Sequence, residues 1–155
     1  EISEGSFVLH SMEEKDIDTI GMSDIIAVAS DGNSLRNTGP LSSGKPHPRS
    51  YGTNTRFIED MVVNKKLVPI SKAIYRMTAL PASRLGLKRR GEIKKGYFAD
   101  INIFKPEDLK EKATYVDPHQ YSTGMKYVIV NGNIALKDSK KISGRFGQVV
   151  RSKEG

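Results

Sequence analysis

The residue with the clearest chemical potential is Asp31, which follows an apolar run of strand length within Ser30-Asp31-Gly32. Residues 25–30 are apolar on both faces, which is typical of a parallel strand covered on both sides. A carboxylate at the carboxyl end of such a strand stands where α/β barrels place catalytic groups. It could hold a metal ion or accept a proton from water. The structural alternative is an Asx turn that only ends the strand.

A second group of candidates lies in the sequence Lys45-Pro46-His47-Pro48-Arg49. Prolines on both sides of His47 favour a stiff, extended loop that holds the imidazole and the guanidinium in place. The planar fork of Arg49 suits a substrate carboxylate, which it can bind at two points. Gly32, beside Asp31, would permit a close approach of the backbone. The alternative is a rigid surface loop with incidental charges.

Other reactive combinations are weak in this sequence. His10 and His119 are isolated, and there is neither a His-x-His pair nor a cysteine, so these residues cannot form a zinc site alone. Ser30 has no identifiable base beside it, which argues against a serine nucleophile. The stretch Ser42-Ser43-Gly44-Lys45 lacks the leading glycine spacing of a phosphate-binding loop.

The composition limits the class of protein. A chain of 155 residues suits one domain or a piece of a larger one, and the missing initiator Met favours a piece. The net charge of +7 is spread out, which favours a solvated surface over a nucleic-acid partner. No apolar run approaches the roughly 20 residues of a membrane helix, and the polar N-terminus does not resemble a signal peptide. The lack of cysteine fits a reducing compartment, so we expect a cytoplasmic location.

The first half of the chain alternates strands and helices, as expected of an α/β fold. A capping box at Ser11 and Glu14 predicts a helix over 12–20 that ends at Gly21 and buries Met12, Ile17 and Ile20. A short strand at 6–10 precedes it, and the strand at 25–30 follows. A long loop over 31–55 leads to a helix at 57–66. Another helix opens at Pro69, is interrupted at Pro81 and ends at Gly86; its predicted buried residues are Ala73, Ile74, Met77 and Leu80.

The second half indicates a small β-rich unit. Strands are predicted at 92–94 and 99–104, joined by a turn at Lys95-Gly96, with Ala99, Ile101 and Ile103 on the buried face. One helical turn is expected within 106–112. Asn131-Gly132 separates two further apolar runs, 127–130 and 133–136, and is a strong signal for a β-hairpin with a type I′ turn. The basic tail at 144–151 is expected to lie across another part of the molecule.

Several of these segments together resemble the C-terminal portion of D-aminoacylases, the N-acyl-D-amino-acid deacylases of the amidohydrolase superfamily. The similar segments are Ser30-Asp31-Gly32, residues 45–53, 76–87, 91–104, Asp117-Pro118-His119-Gln120-Tyr121, 128–132 and 144–151. The subfamily resemblance depends mainly on the His-Pro-Arg loop and the Pro-His-Gln-Tyr segment.

The resemblance implies a zinc-dependent (β/α)₈ barrel with an appended β-sandwich. Residues 1–86 would supply the last strand or strands and helices of the barrel, with 31–55 as an active-site loop, and residues 87–155 the later part of the sandwich. Asp31 matches the general acid/base and is a possible metal ligand. Arg49 matches the group that binds the substrate's carboxylate, and Gly32 and His47 are assigned loop support.

The same resemblance implies that this chain is only part of the machinery. The family's other metal ligands lie upstream, and a barrel needs about 250 residues. We therefore expect the segment alone to bind no catalytic zinc and to be inactive, while the intact enzyme binds Zn²⁺ and an N-acyl-D-amino acid. Missing barrel strands would leave apolar surface exposed, which favours oligomers. The alternatives are a non-catalytic basic binding module and another amidohydrolase of the dihydroorotase or hydantoinase type.

Overall fold

The computed structural model describes residues 11–151, in which the helices come first and the strands second. The predicted strand at 6–10 and His10 lie outside the described residues. The elements are α1 Glu14–Met22, α2 Arg49–Phe57, a π-helical segment Ile58–Asn64, α3 Ile70–Met77, α4 Ala79–Arg84, β1 Ile101–Phe104, a 3₁₀ turn Pro106–Asp108, β2 Met125–Val130, β3 Asn133–Lys137 and β4 Lys140–Lys141.

Helix α1 begins and packs differently from the prediction. Its N-cap is Glu13, whose backbone N–H donates to Asp16 Oδ2 at 3.2 Å, so the capping pair stands two positions later than expected. Gly21 lies inside the helix and is the buried position. The predicted burial was wrong: the exposed fractions are 54% for Met12, 40% for Ile17 and 47% for Ile20. The physical reason is that α1 packs through its glycine face, where a Cβ would collide with the Met61 side chain.

The segment 25–30 does not form a strand within the described chain, which corrects the prediction. A strand is defined by ladder hydrogen bonds to a neighbour. Here a backbone hydrogen bond runs to a helix instead, from the N–H of Val28 to the carbonyl of Arg76 at 3.1 Å. Ile25 is 78% exposed, so the double-sided burial expected of the apolar run is also wrong. An apolar run has the composition of a strand, but a strand also requires a neighbouring strand to pair with, and residues 11–151 provide none for this segment.

The core of the helical half includes Ala73 and Met77, two of the positions that the apolar spacing predicted. Met61, Val68 and Ala73 are almost fully buried, and Phe57, Val62 and Met77 pack against them. The helix containing Phe57 begins earlier than expected, however, because α2 starts at Arg49. The loop after Asp31 therefore ends at Pro48 and not at Thr55. This places Arg49 in the first turn of a helix, where its backbone is fixed.

The end of the helical half follows local sequence signals. The predicted break at Pro81 falls at Thr78, and Pro81 sits in the first turn of α4, where a proline is tolerated. Gly86 has a φ of +68°, and its N–H donates to Ser83 O while the next N–H, of Leu87, donates to Ala82 O. This is the Schellman arrangement, and the predicted stop at Gly86 is confirmed.

The β half is an antiparallel sheet of four strands in sequence order, β1-β2-β3-β4. The predicted hairpin is confirmed: Asn131 and Gly132 have φ values of +47° and +80°, as a type I′ turn requires. The predicted strand at 92–94 is wrong, since these residues pair with no strand of the described sheet. Ile103 is 46% exposed, so its predicted burial is wrong; β1 is an edge strand of the described sheet and has a neighbouring strand on one side only.

Polar contacts join the two halves. Glu59, in the π-helical segment, accepts a hydrogen bond from Lys110 Nζ at 2.8 Å and another from the backbone of Glu111 at 2.9 Å. Arg89 and Arg90 both stack on the Phe98 ring, so these two cations are used within the fold. In residues 11–151 no helix has the length and apolar character to span a bilayer. The described chain is thus a small α/β fragment with an antiparallel sheet.

Candidate active-site segment

The two strongest sequence candidates lie in contact. Arg49 Nη2 is 2.9 Å from Asp31 Oδ2, and the two side chains are 45% and 86% exposed. An ion pair this exposed contributes about 0–1 kcal/mol to stability. Its significance is therefore positional: the loop and the first turn of α2 bring the acid/base candidate Asp31 and the carboxylate-binding candidate Arg49 together.

Local backbone geometry explains how the segment reaches α2. Asp31 has a φ of +47°, in the left-handed region that aspartate tolerates better than most residues. A Cβ on Gly32 would lie 2.7 Å from the Cα of Ser50, so this approach requires glycine. Ser30 Oγ accepts from the Gly32 N–H at 3.2 Å, and Ser50 Oγ accepts from the Asn33 N–H at 3.3 Å. These contacts fasten the residues around Asp31 to the start of the helix.

His47 lies at the N-terminus of α2. Its Nδ1 accepts a hydrogen bond from the Arg49 N–H at 3.0 Å, and its carbonyl accepts from the Ser50 N–H at 3.1 Å. Two of the amide groups that a helix start leaves without helical partners are thereby satisfied. The other ring nitrogen lies 3.2 Å from the Tyr115 hydroxyl, with the two rings edge to face. In this position the imidazole fixes the backbone that carries Arg49.

Arg76 is the residue that sequence reasoning missed. It is 1% exposed, its Nε donates to Ile26 O at 2.7 Å, and its Nη1 donates to Gly21 O. Its guanidinium also lies over the Phe57 ring, 5.1 Å from the centroid. Burial lowers the pKa of Arg76, opposed by the charge of Asp24. The signal was present in the sequence, because an arginine stands three residues after Ala73 on the buried face of α3.

Arg76 controls the approach to Asp31 through both side chain and backbone. The side chain binds the carbonyl of Ile26, and its own carbonyl accepts from the N–H of Val28. Two points of the segment leading to Asp31 are thus anchored to a buried helix. These two hydrogen bonds hold the segment in place, although it pairs with no strand of the described residues.

His119 is not isolated, contrary to expectation. Its Nδ1 lies 2.7 Å from the hydroxyl of Tyr51, and its Nε2 lies 2.9 Å from the carbonyl of Gly44. The segment around Pro118, which carries much of the sequence resemblance, therefore lies against the loop that follows Asp31. It also contributes Tyr121, whose hydroxyl accepts from the Asn37 N–H at 3.4 Å.

A cleft of about 560 Å³ opens beside the start of α2. Arg49 and His47 lie on its wall, and Asp31 does not. Its remaining lining mixes apolar and charged groups: Ser11, Met12, Glu14, Ile17, Val28, Pro48, Thr53, Arg56, Phe57, Asp60, Met61, Lys65, Glu111 and Tyr115. The cleft does not combine the acid/base candidate with the carboxylate-binding candidate, so it is not assigned as the substrate site.

The donor set of residues 11–151 does not fit a complete zinc site. No three His, Cys, Asp or Glu side chains of this range stand together as a metal site requires. Asp31 could supply one oxygen ligand, but its contact here is with Arg49. No chemical step through a metal follows from these residues alone.

Comparison with known proteins places these features in a larger context. The model of the "Amidohydrolase family" matches residues 39–136. An N-acyl-D-aspartate deacylase of Alcaligenes xylosoxydans xylosoxydans is 34% identical over 139 residues, covering 90% of this chain and 26% of the relative. A D-aminoacylase of the same organism is 39% identical over 88 residues, covering 57% of this chain and 18% of the relative.

A solved structure extends the similarity to three dimensions. The N-acyl-D-glutamate deacylase of Bordetella bronchiseptica, complexed with zinc and a phosphonate inhibitor, superimposes with a TM-score of 0.78 at 34% identity. The match covers 90% of this chain and 28% of that structure. The chain thus spans about a quarter of the length of the first curated relative it matches. Because the family match takes in well over half of the chain, this protein belongs to the amidohydrolase family.

Proposed function

We propose that this chain is the C-terminal segment of a zinc-dependent hydrolase that cleaves the amide bond of N-acyl-D-amino acids. The observation that carries the proposal is the contact between Asp31 and Arg49, in a chain whose relatives include an N-acyl-D-aspartate deacylase and a D-aminoacylase. Residues 1–86 would belong to the barrel and residues 87–155 to the sandwich.

Asp31 is proposed as the general acid/base. It would accept a proton from the attacking water and return it to the nitrogen of the leaving amine. Such a group must reach both the water and the substrate, and its exposure at the end of a tethered segment leaves the carboxylate accessible. Gly32 supports this role because it permits the segment to lie against Ser50.

Arg49 is proposed to bind the α-carboxylate of the substrate. A guanidinium carries five N–H donors in a planar fork, and the contact with Asp31 is made through one nitrogen, Nη2. The backbone N–H of Arg49 is fixed by His47, so the side chain starts from a defined point. Holding the carboxylate beside Asp31 would orient the scissile amide toward the acid/base group.

The proposed cofactor of the intact enzyme is Zn²⁺, which lowers the pKa of a bound water. Asp31 is the one residue of this chain that we offer as a ligand, with the others outside it. The same reasoning predicts that the segment alone is inactive. The proposed partners are therefore the remaining barrel and the small-molecule substrate.

The test uses the full-length protein with N-acetyl-D-aspartate, N-acetyl-D-glutamate and a neutral N-acetyl-D-amino acid. Asp31→Asn should lower kcat by a factor of about 10² or more, the usual contribution of general acid/base catalysis. Arg49→Lys keeps the charge but loses the fork, so KM should rise roughly tenfold, equivalent to about 1.4 kcal/mol. Arg56→Lys is the matched control, because Arg56 is an exposed arginine of the same helix that pairs with Asp60.

The outcomes separate the proposed function from its alternatives. If Asp31→Asn keeps the wild-type kcat, Asp31 is not the general acid/base. Hydrolysis of cyclic ureides but not of N-acyl-D-amino acids would indicate a dihydroorotase- or hydantoinase-like enzyme. Hydrolysis of neither, with salt-dependent binding to nucleic acid or an acidic protein, would indicate the basic binding module.

A further inference from the structure

The contact between Tyr51 and His119 joins three parts of the chain. Tyr51 lies on α2, two residues after Arg49, and His119 lies in the segment before β2. The 33–48 loop passes over both: the Tyr51 hydroxyl is 2.8 Å from the carbonyl of Arg36, and His119 Nε2 is 2.9 Å from the carbonyl of Gly44. The hydroxyl and His119 Nδ1 are 2.7 Å apart.

The hydrogen atoms in this chain of contacts can be counted. The carbonyl of Arg36 only accepts, so the single hydroxyl proton of Tyr51 must be donated to it. The hydroxyl oxygen can then only accept from His119, so Nδ1 must carry a proton. The carbonyl of Gly44 also only accepts, so Nε2 must carry one too. All three hydrogen bonds are satisfied together only by the doubly protonated imidazolium.

We infer that protonated His119 is a positioning residue that fastens the 33–48 loop onto α2 beside Arg49. The loop connects the acid/base candidate Asp31 to the helix that begins at Arg49, so its attachment fixes the separation of the two. When His119 loses a proton, one of the three contacts loses its hydrogen atom and two acceptors face each other. Because the Gly44 carbonyl can only accept, Nε2 keeps the remaining proton and Nδ1 becomes an acceptor. The Tyr51 hydroxyl then turns to donate to Nδ1, so the loop is released from Tyr51 at the carbonyl of Arg36. The link to catalysis rests on the proposed function, whereas the attachment itself does not.

The titratable and charged groups around His119 come from α2, from its own segment and from the 33–48 loop. From α2 it meets the phenol of Tyr51, whose pKa is raised by burial and further by Tyr121, so this phenol stays protonated at neutral pH. Its own segment contributes Tyr121 and, two residues away, Asp117. The 33–48 loop presents the carbonyls of Arg36 and Gly44. The same loop carries two cationic side chains, that of Arg36 and that of Lys45, the residue after Gly44. Histidine is the side chain that ordinarily changes charge between about pH 5 and 8.

Trypsin cleavage after Arg36 gives a direct measure of loop attachment in the full-length protein, because this exposed arginine lies within the loop. Cleavage at this bond is followed by mass spectrometry at about pH 6 and about pH 8.5. The wild type is compared with Tyr51→Phe, and the ratio of the two rates at each pH cancels the pH dependence of trypsin. Tyr75→Phe, on an exposed tyrosine of α3, is the matched control.

The ratio of Tyr51→Phe to wild type should be about fivefold at the lower pH, the effect of one hydrogen bond of roughly 1 kcal/mol, and should approach one at the higher pH. The cleavage rate of His119→Gln should differ from that of the wild type at both pH values. The cleavage rate of Tyr75→Phe should equal that of the wild type at both. A ratio independent of pH, or close to one at the lower pH, would overturn the inference.

Kinetics distinguish this inference from the proposed function. In the full-length enzyme His119→Gln should raise KM for the N-acyl-D-amino acid with little change in kcat, and the KM of the wild type should rise between the two pH values. If the wild type hydrolyses no such substrate, the proposed function fails while the cleavage ratio still decides the attachment. If the wild type hydrolyses the substrate and the ratio of cleavage rates does not change with pH, only the inference about His119 fails.

Discussion

Replacing Arg76 with methionine tests how the segment before Asp31 is held. Methionine keeps much of the side-chain volume in the buried site but removes every donor. The carbonyls of Ile26 and Gly21 then lose their hydrogen bonds from the guanidinium, and the stacking on Phe57 is lost. The same change removes the burial of a charge, which offsets part of the loss, as shown by the lowered pKa of Arg76.

The magnitude follows from these contacts. A buried carbonyl left without a donor costs about 1–3 kcal/mol. The Ile26 side of the site is partly exposed, since this residue is 39% accessible, so water can replace one donor in part. We expect Arg76→Met to lower the free energy of unfolding by about 2–4 kcal/mol. Arg76→Lys, which keeps one charged donor, should fall between methionine and the wild type.

Urea unfolding of the chain at 25 °C, followed by far-UV circular dichroism, measures the change through the midpoint at constant m. Arg56→Met is the matched control, because the same substitution there removes a half-exposed arginine, its ion pair with Asp60 and its attraction for the Glu111 carboxylate. The control should lose about 1 kcal/mol or less. Equal losses for the two variants would refute the assignment of Arg76 as the buried anchor.

Two further substitutions test the neighbourhood of α2. Burial raises the pKa of Glu111, with Arg56 opposing the shift and Glu59 adding to it, and Glu111 Oε1 has no hydrogen-bond partner within the described residues. A carboxyl whose pKa is raised by folding stabilises the protein fully only below its unfolded pKa and loses that contribution as pH rises. Glu111→Gln should therefore raise the urea midpoint at pH 7 and leave it unchanged near pH 4, and an equal shift at both would contradict this. Gly32→Ala should destabilise the chain by about 1 kcal/mol or more, because the added Cβ would collide with Ser50. Gly147→Ala is the control and should leave stability unchanged, because a Cβ there meets open space. Equal urea midpoints for the two alanine variants would show that the approach to Ser50 does not require glycine.

The elements that sequence reasoning predicted well are those whose signal is local. Asn131-Gly132 requires positive φ at two successive positions, and the turn is formed as expected. Gly86 ends α4 because a left-handed residue lets the last carbonyls accept hydrogen bonds. The helical spacing around Ala73 marked a buried face. In each case the residues that carry the signal are also the residues that form the structure.

The elements that were predicted poorly depend on partners elsewhere. The apolar residues of α1 were expected to be buried, but the helix packs through Gly21. Residues 25–30 have the composition of a strand without the ladder. The alternation in β1 predicted that Ile103 is buried, but this residue of an edge strand is 46% exposed. The composition of a segment indicates which of its side chains can be buried. It does not indicate which other part of the chain packs over them.

The sequence by itself determined the candidate residues Asp31 and Arg49, the family resemblance and the local turns, because these depend on residue type and near-neighbour geometry. Only the tertiary structure decided that Asp31 meets Arg49, that Arg76 is the buried anchor and that His119 reaches the hydroxyl of Tyr51. These contacts join residues far apart in the chain. Their existence depends on how helices and loops pack, which fixes distances that residue order leaves open.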